Sequence, residues 1–299
     1  MNPTSQGWPA YQWPQGKRAA FCFSVDVDAD APYLWTHRAV TATPSLGQLE
    51  QRRFGLRVGI WALLDLLDRF AIKASFFVPA AVAEADPRLL PAFVERGHEI
   101  GLHGFFHEIV SQSSDDEFSA ALDASLETFM RQTGKRPAGF RSPAWDMTPY
   151  MLSELRRQGL YDSSLMGAHH PYGIDGVVEV PVQWQLDDAI HFKFNGDGSD
   201  HWRPAAPGPV LDGWLDEWQG LQRMGGLFML TVHDWISGRA QRLVMIERLL
   251  TQVLADDSTW IATVGEVAQW HAQSANSQHY HVGSDLPAAV DPQRFGAHP

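Results

Sequence analysis

What the chain has little of narrows its class first. A single cysteine, Cys22, in 299 residues excludes an internal disulfide framework. It sits in an apolar run and reads as a buried small hydrophobe. No apolar run approaches the roughly 20 residues that cross a bilayer. Met1 to Lys17 is rich in Trp, Pro and Gln and lacks a basic stretch followed by an apolar one, so no secretory signal is read and a cytoplasmic location is expected. Positive charge is in deficit: 23 Lys and Arg stand against 35 Asp and Glu, a net charge of −12. That argues against nucleic acid and against anionic membranes as partners. There is no Gly-rich dinucleotide fingerprint, no phosphate-binding loop and no repeat at solenoid spacing.

What is present is an alternation of short apolar runs and helical patterns. Ala19–Val25 is continuous and apolar, as expected of a strand buried on both faces. Further strands are expected at 74–78, 100–102, 139–141, 177–182, 227–232 and 260–261. Helical spacing covers 59–70, 88–96, 149–158, 210–223 and 240–254. Ser114-Asp115-Asp116-Glu117 and Thr263-Val264-Gly265-Glu266 are capping boxes, the first opening a helix to Thr133 and the second one to His271. Residues 31–55 and 183–208 have no clear period and read as long loops. Alternation of this kind means a parallel sheet covered by helices, and the length favours a barrel. The expected organisation is an N-terminal arm over 1–18, one distorted (β/α) barrel of seven or eight units over 19–271, and a polar tail over 272–299. His279 and His281 fall in that tail.

Polar residues cluster where these strands end. Asp26 and Asp28, His103, Arg141 and His233 each follow an apolar run, and in a parallel barrel those ends share one rim. His103 and His107 are four apart, so a helix after Leu102 would put both imidazoles on one face. Asp28, His103 and His107 make a carboxylate and two imidazoles, a set suited to Zn²⁺ with one position open for water, and acceptable to Co²⁺ or Fe²⁺. Asp26 can serve as general base, Arg141 can support it through a charge-assisted hydrogen bond, and His233 can protonate a leaving amine. Base, acid and Lewis acid together describe hydrolysis of an amide.

The motifs Phe23-Ser-Val-Asp-Val-Asp28, His103-Gly-Phe-Phe-His107, Arg141-Ser-Pro-Ala-Trp145 and Leu230-Thr-Val-His233 resemble those of the polysaccharide deacetylases, carbohydrate esterase family 4. The resemblance runs from about Lys17 to His271 and implies a distorted barrel with the same six residues in the same roles. Three features depart from the family pattern. Val27 separates two usually adjacent aspartates, Asp234 stands where proline usually follows the histidine, and Trp184-Gln-Leu-Asp187-Asp188 replaces the late aspartate–tryptophan motif. With Gly55-Leu-Arg-Val-Gly59, these features resemble a branch holding peptidoglycan-deacetylase-like proteins and cyclic imide or ureide (allantoinase-like) hydrolases.

The expected activity is therefore metal-dependent hydrolysis of a non-peptide carbon–nitrogen bond in an N-acyl or imide group. A carbohydrate-binding pseudoenzyme is the other reading, since Trp35, Trp145, Trp184 and Trp202 fall in expected loops and indoles stack on sugar rings. Trp35, Trp145, Trp184, Asp187 and Asp188 are the expected substrate contacts. The two long loops would roof the rim and favour a small molecule or short saccharide over a polymer. A homo-oligomer is compatible with all of this.

Overall fold

A computed structural model describes residues 11–41, 43–274 and 279–282. Its strands are β1 (Ala19–Asp26), β2 (Ser75–Val78), β3 (Glu99–Leu102), β4 (Gly139–Phe140), β5 (Tyr161–Asp162), β6 (Tyr172–Ile174), β7 (Val177–Glu179), β8 (Leu227–His233), β9 (Thr259–Ile261) and β10 (His279–Tyr280). The helices are α1 (Ala31–Thr36), α2 (Leu46–Phe54), α3 (Ile60–Arg69), α4 (Ala80–Ala85), α5 (Leu89–Glu95), α6 (Asp115–Thr133), α7 (Pro149–Gln158), α8 (Ala189–Phe192), α9 (Pro207–Met224), α10 (Asp234–Ser237), α11 (Ala240–Val253) and α12 (Val264–Gln273). The strands form one sheet in the order β10-β6-β7-β5-β4-β3-β2-β1-β8, with β9 also on β1. All pairings are parallel except the β6–β7 hairpin. Beyond β8 the curled sheet meets the segment after β7 through one parallel bridge, Asp187 to Thr231. This is the distorted barrel that the alternation implied.

Every residue of β1 is buried. Phe21, Phe23 and Val25 pack under the helices, while Ala20 and Cys22 join Phe77, Tyr161 and Met229 in the barrel interior. Strand alternation therefore sends Ser24 and Asp26 inward as well, one layer nearer the rim. Both capping boxes are formed. Tyr11 and Trp13 of the N-terminal arm pack against this inner cluster, and the Trp13 indole donates to the Gly225 carbonyl.

Three local expectations are corrected. Residues 31–55 are mostly helical: α1 and α2 lie there, and α2 runs into a π-helical turn, Gly55–Gly59. Their periodicity is masked because each helix is short and carries exposed apolar residues, Leu34 and Leu46 among them. His279 and Tyr280 form β10 on β6, and His281 contacts Asp175, so this part of the expected polar tail belongs to the sheet. Most of 1–18 and 272–299 lies outside the described residues. The third correction concerns His103 and His107. They lie on a loop with no helix, in which Gly104 and His107 both adopt positive φ, 71° and 63°.

The Gly55–Gly59 turn owes its glycines to α10. A Cβ on Gly55 would fall on the Asp234 carboxylate and one on Gly59 on the Asp234 carbonyl, at 1.9 and 2.1 Å. Only hydrogen at both positions lets the backbone approach this closely. The turn thus seats α2 directly against the helix that follows His233.

Candidate active site

The five strand-end positions meet as the alternation required. In register, Asp26 of β1 stands beside His233 of β8 and Phe77 of β2. Asp28 lies two residues past Asp26, beyond the strand end, and Ala29 then turns the chain with φ 48°. The Ala29 amide donates to Asp234 Oδ1, so the aspartate that follows His233 anchors the Asp26–Asp28 turn. Burial, reinforced by the nearby Asp28 charge, pushes the Asp234 carboxyl up to about 8.

Asp28, His103 and His107 converge. His103 Nε2 lies 3.4 Å and His107 Nε2 3.6 Å from Asp28 Oδ1. Asp28 Oδ1 is buried and accepts no hydrogen bond. Three ligands bound tetrahedrally at roughly 2.0–2.1 Å would stand about 3.3–3.5 Å apart. The donor spacing and the orphaned oxygen therefore fit a small divalent cation. His103 donates from Nδ1 to the Arg141 carbonyl at 2.8 Å, which fixes the tautomer and turns Nε2 toward Asp28. Burial drives His107 down to about 4, keeping a neutral imidazole available as a ligand. Glu108 holds the loop between the histidines by accepting from the Phe105 and Phe106 amides, both at 2.9 Å.

Arg141 is fully buried. Its Nη1 donates to Asp26 Oδ1 and Ser24 Oγ at 2.8 Å, and its Nε and Nη2 to Ser163 at 3.0 Å. The guanidinium also lies over the Phe77 ring, 4.1 Å from its centre. Asp26 Oδ2 remains 3.9 Å from His103 Nε2, facing the same space as the three candidate ligands. Removing either partner of a buried pair like this costs about 3–5 kcal/mol, because the other charge is left uncompensated.

His233 Nε2 lies 3.7 Å from Asp28 Oδ2, while Arg141 is bonded to Asp26, the register neighbour of His233 on β1. Its Nδ1 donates to Asp188 Oδ1 at 2.6 Å. Asp188 Oδ2 accepts from the His233 backbone amide at 2.9 Å and from the Ser237 hydroxyl at 2.5 Å. Burial works against charge on His233, but Asp188 and Asp187 outweigh it and hold the imidazolium well above its ordinary range. Asp187 Oδ1 stands 3.6 Å from the same Nδ1. Burial pushes Asp187 up to about 7; the His233 charge opposes this and the Asp188 charge adds to it.

The structure brings Asp26, Asp28, His103, His107, Arg141 and His233 together. The five expected substrate contacts fall into three groups: Asp187 and Asp188 at His233, Trp145 with Trp184, and Trp35 beside Phe106. Asp188 is fully buried with both oxygens engaged by His233 and Ser237. Trp145 is buried and stacks on the half-exposed Trp184, ring centres 4.5 Å apart. Trp35 sits in α1 under the Arg38 guanidinium and alongside Phe106, the neighbour of His107. The cradle of Ser24, Ser163 and Thr231 around Arg141, and the clamp of Asp188 on His233, were not found from sequence. Interior alternation along β1 and β8 could have placed Ser24 and Thr231. No spacing links Asp188 to His233, 45 residues away.

Three comparisons bear on this arrangement. A family model described as polysaccharide deacetylase matches residues 55–162. A peptidoglycan deacetylase of Helicobacter pylori is 25% identical over 283 residues, covering 84% of this chain and 96% of that protein. A crystal structure from Mycobacterium smegmatis, assigned as a polysaccharide deacetylase, is 31% identical with a TM-score of 0.84, covering 90% of this chain and 95% of the other. The PuuE allantoinase structure shares the fold at a TM-score of 0.77 and 20% identity, covering 90% of this chain and 95% of that one.

Proposed function

Because the chain belongs to the polysaccharide deacetylase family, whose members hydrolyse N-acetyl amide bonds, we propose that it is a metal-assisted hydrolase of N-acyl groups on short saccharides, with Asp26 as base and His233 as acid. The observation that carries this reading is a pair of separately braced groups at one centre. Asp26 is bonded to Arg141, His233 is bonded to Asp188, and both face the Asp28–His103–His107 cluster. Among the described residues Asp187, Asp188 and His233 also gather closely enough for an ion. There, however, His233 Nδ1 is already bonded to Asp188, so the Asp28 cluster is the one with a free donor set.

A divalent cation held by Asp28, His103 and His107 would supply Lewis-acid polarisation of the acyl oxygen and acidify an attacking water. The chain's own residues do the rest. Asp26 Oδ2 takes a proton from water as its oxygen adds to the acyl carbon. Arg141 fixes the other Asp26 oxygen, so the base keeps its orientation. His233 delivers the proton on Nε2 to the nitrogen as the carbon–nitrogen bond breaks, releasing carboxylate and amine. Asp188 fixes Nδ1 and with it the direction of Nε2. All four side chains are buried, which raises the strength of each charge interaction.

Substrate length is set by the roof. Gln48 and Gln51 of α2 donate to the backbone of Asn195 and Phe194, so the two long segments flanking the rim are joined. A joined roof suits a pocket-sized substrate better than a continuous polymer. The test is acetate release from mono- and disaccharide N-acetyl sugars, long chitin oligomers and cyclic imides, before and after chelation and readdition of Zn²⁺ or Co²⁺. Release from short sugars that stops on chelation and returns with metal is expected. Ring opening of imides without any acetate release would overturn the proposal.

A further inference from the structure

Arg52 of α2 is an anomaly among the arginines of this rim. It is 7% exposed, and among the described residues it makes no ion pair. Its neighbours along the chain do: Arg53 pairs with Asp30 and Arg57 with Glu50. Arg52 is held instead by neutral oxygens. Nη1 donates to the Gln48 carbonyl at 3.3 Å and to Gln48 Oε1 at 2.5 Å, and Nη2 donates to Asn195 Oδ1 at 3.0 Å. That uses three of the five guanidinium N–H groups. The Nε–H and one Nη2–H are left, and Nε with Nη2 forms the edge that takes a carboxylate side-on through two parallel bonds.

Its place in the fold is against the elements that follow Asp28 and His233. The guanidinium stands 4.9 Å from the ring centre of Trp235, two residues past His233, and 5.4 Å from that of Tyr33, at the start of the roof. Burial works against its charge, and Asp28 is the largest of the charges that oppose that effect. Burying an unpaired guanidinium is costly unless something pairs with it in the working state. Gln48 and Asn195 come from the two segments that meet over the rim, so the free edge is oriented by the same contacts that build the roof.

We propose that Arg52 recognises a carboxylate carried by the substrate itself, so that the preferred substrate is an N-acylated sugar bearing a carboxylate substituent. This rests on the N-acyl hydrolase reading and names its substrate class. A single guanidinium already in the field of Asp28 and Asp30 matches one negative charge and not two, which favours a carboxylate over a phosphate dianion.

The test uses three compounds with the same acetamido group: N-acetylmuramic acid, its methyl ester and N-acetylglucosamine. The wild-type protein with added Zn²⁺ is expected to prefer the free acid over the ester by about 10- to 100-fold in kcat/KM, the size of one charge-assisted bidentate contact. Arg52→Gln should bring that ratio close to one. Arg52→Lys, which keeps the charge but not the fork, should give an intermediate ratio. An equal rate on acid and ester in the wild-type protein overturns the inference without needing any variant. Calorimetric binding of acid and ester, run in parallel, separates the two readings. Preferential binding of the acid that Arg52→Gln removes, with no acetate released from any compound, supports the anion site and sinks the hydrolase reading.

Discussion

Asp188→Asn changes one atom at the clamp on His233 and leaves the shape of the site intact. The carboxylate serves three donors: His233 Nδ1 at 2.6 Å, the His233 amide at 2.9 Å and Ser237 Oγ at 2.5 Å. An asparagine has one acceptor oxygen. Its NH₂ must face either the imidazole Nδ1 or the backbone amide with its hydroxyl neighbour. In the first case His233 is held in the opposite tautomer; in the second a buried N–H loses its acceptor, at a cost of about 1–3 kcal/mol in stability. Either way the charge that most raises His233 is gone, and Asp187, 3.6 Å from Nδ1, and Asp28, 3.7 Å from Nε2, are left to support the imidazolium. Loss of a positioned general acid typically costs about 10²–10⁴ in rate, and three decades correspond to about 4 kcal/mol of barrier. Acetate release by the metal-loaded variant should therefore fall by about that factor with bound metal unchanged. The alkaline limb of its pH–rate profile should move to lower pH, since the imidazolium now loses its proton sooner. A variant with wild-type kcat and an unmoved alkaline limb would refute the clamp, and with it the assignment of His233 as acid.

The metal assignment separates ligands from proton-transfer groups. The double substitution His103→Ala, His107→Ala should lose the bound ion on metal analysis, whereas Asp26→Asn and His233→Ala should retain it while losing turnover by about 10²-fold or more. A second prediction concerns His98, whose Nδ1 accepts the Ala74 amide and whose burial lowers its pKa to about 4. A base with a depressed folded pKa binds fewer protons folded than unfolded, so stability is present above about 6.5 and is lost as the pH falls toward 4. Thermal midpoints of the metal-free protein should fall over that window, less steeply in His98→Asn. Parallel curves would show that His98 is not the cause.

Much of the centre was legible because β-structure makes chemistry periodic. Asp26, Arg141 and His233 end buried strands, so strand ends alone put them on one rim. The capping boxes at Ser114 and Thr263 were legible because their hydrogen bonds are local. The convergence of His103 and His107 was legible in outcome but not in cause. A helix was the economical way to bring residues four apart together, whereas the chain uses two left-handed positions and the Glu108 carboxylate. The helices of 31–55 were missed because the buried side of α2 is largely polar, Gln48 and Arg52 beside Leu49, while its apolar Leu46 is exposed. Asp188 was read as a substrate contact since an acidic pair in a loop carries no local sign of what it grips. The physical reason for Gly55 and Gly59 likewise lies in the remote Asp234, its carboxylate for the first and its carbonyl for the second, which no window of sequence contains.

The curled sheet is continuous through the strands that carry Asp26, His103 and Arg141, yet beyond β8, among the described residues, the backbone ladder to the following wall is cut to the Asp187–Thr231 bridge, backed by the Asp188 carboxylate on His233 and Ser237. That is a mechanical seam, and under the proposed function it falls between the half of the centre that would activate water and the wall that would receive the substrate. Changes of length or composition in residues 189–206 would be absorbed at the seam without shifting the ladder that spaces the base from the candidate ligands. Retargeting such an enzyme, by selection or by design, is then a matter of exchanging one removable panel while the strands beneath it stay in register.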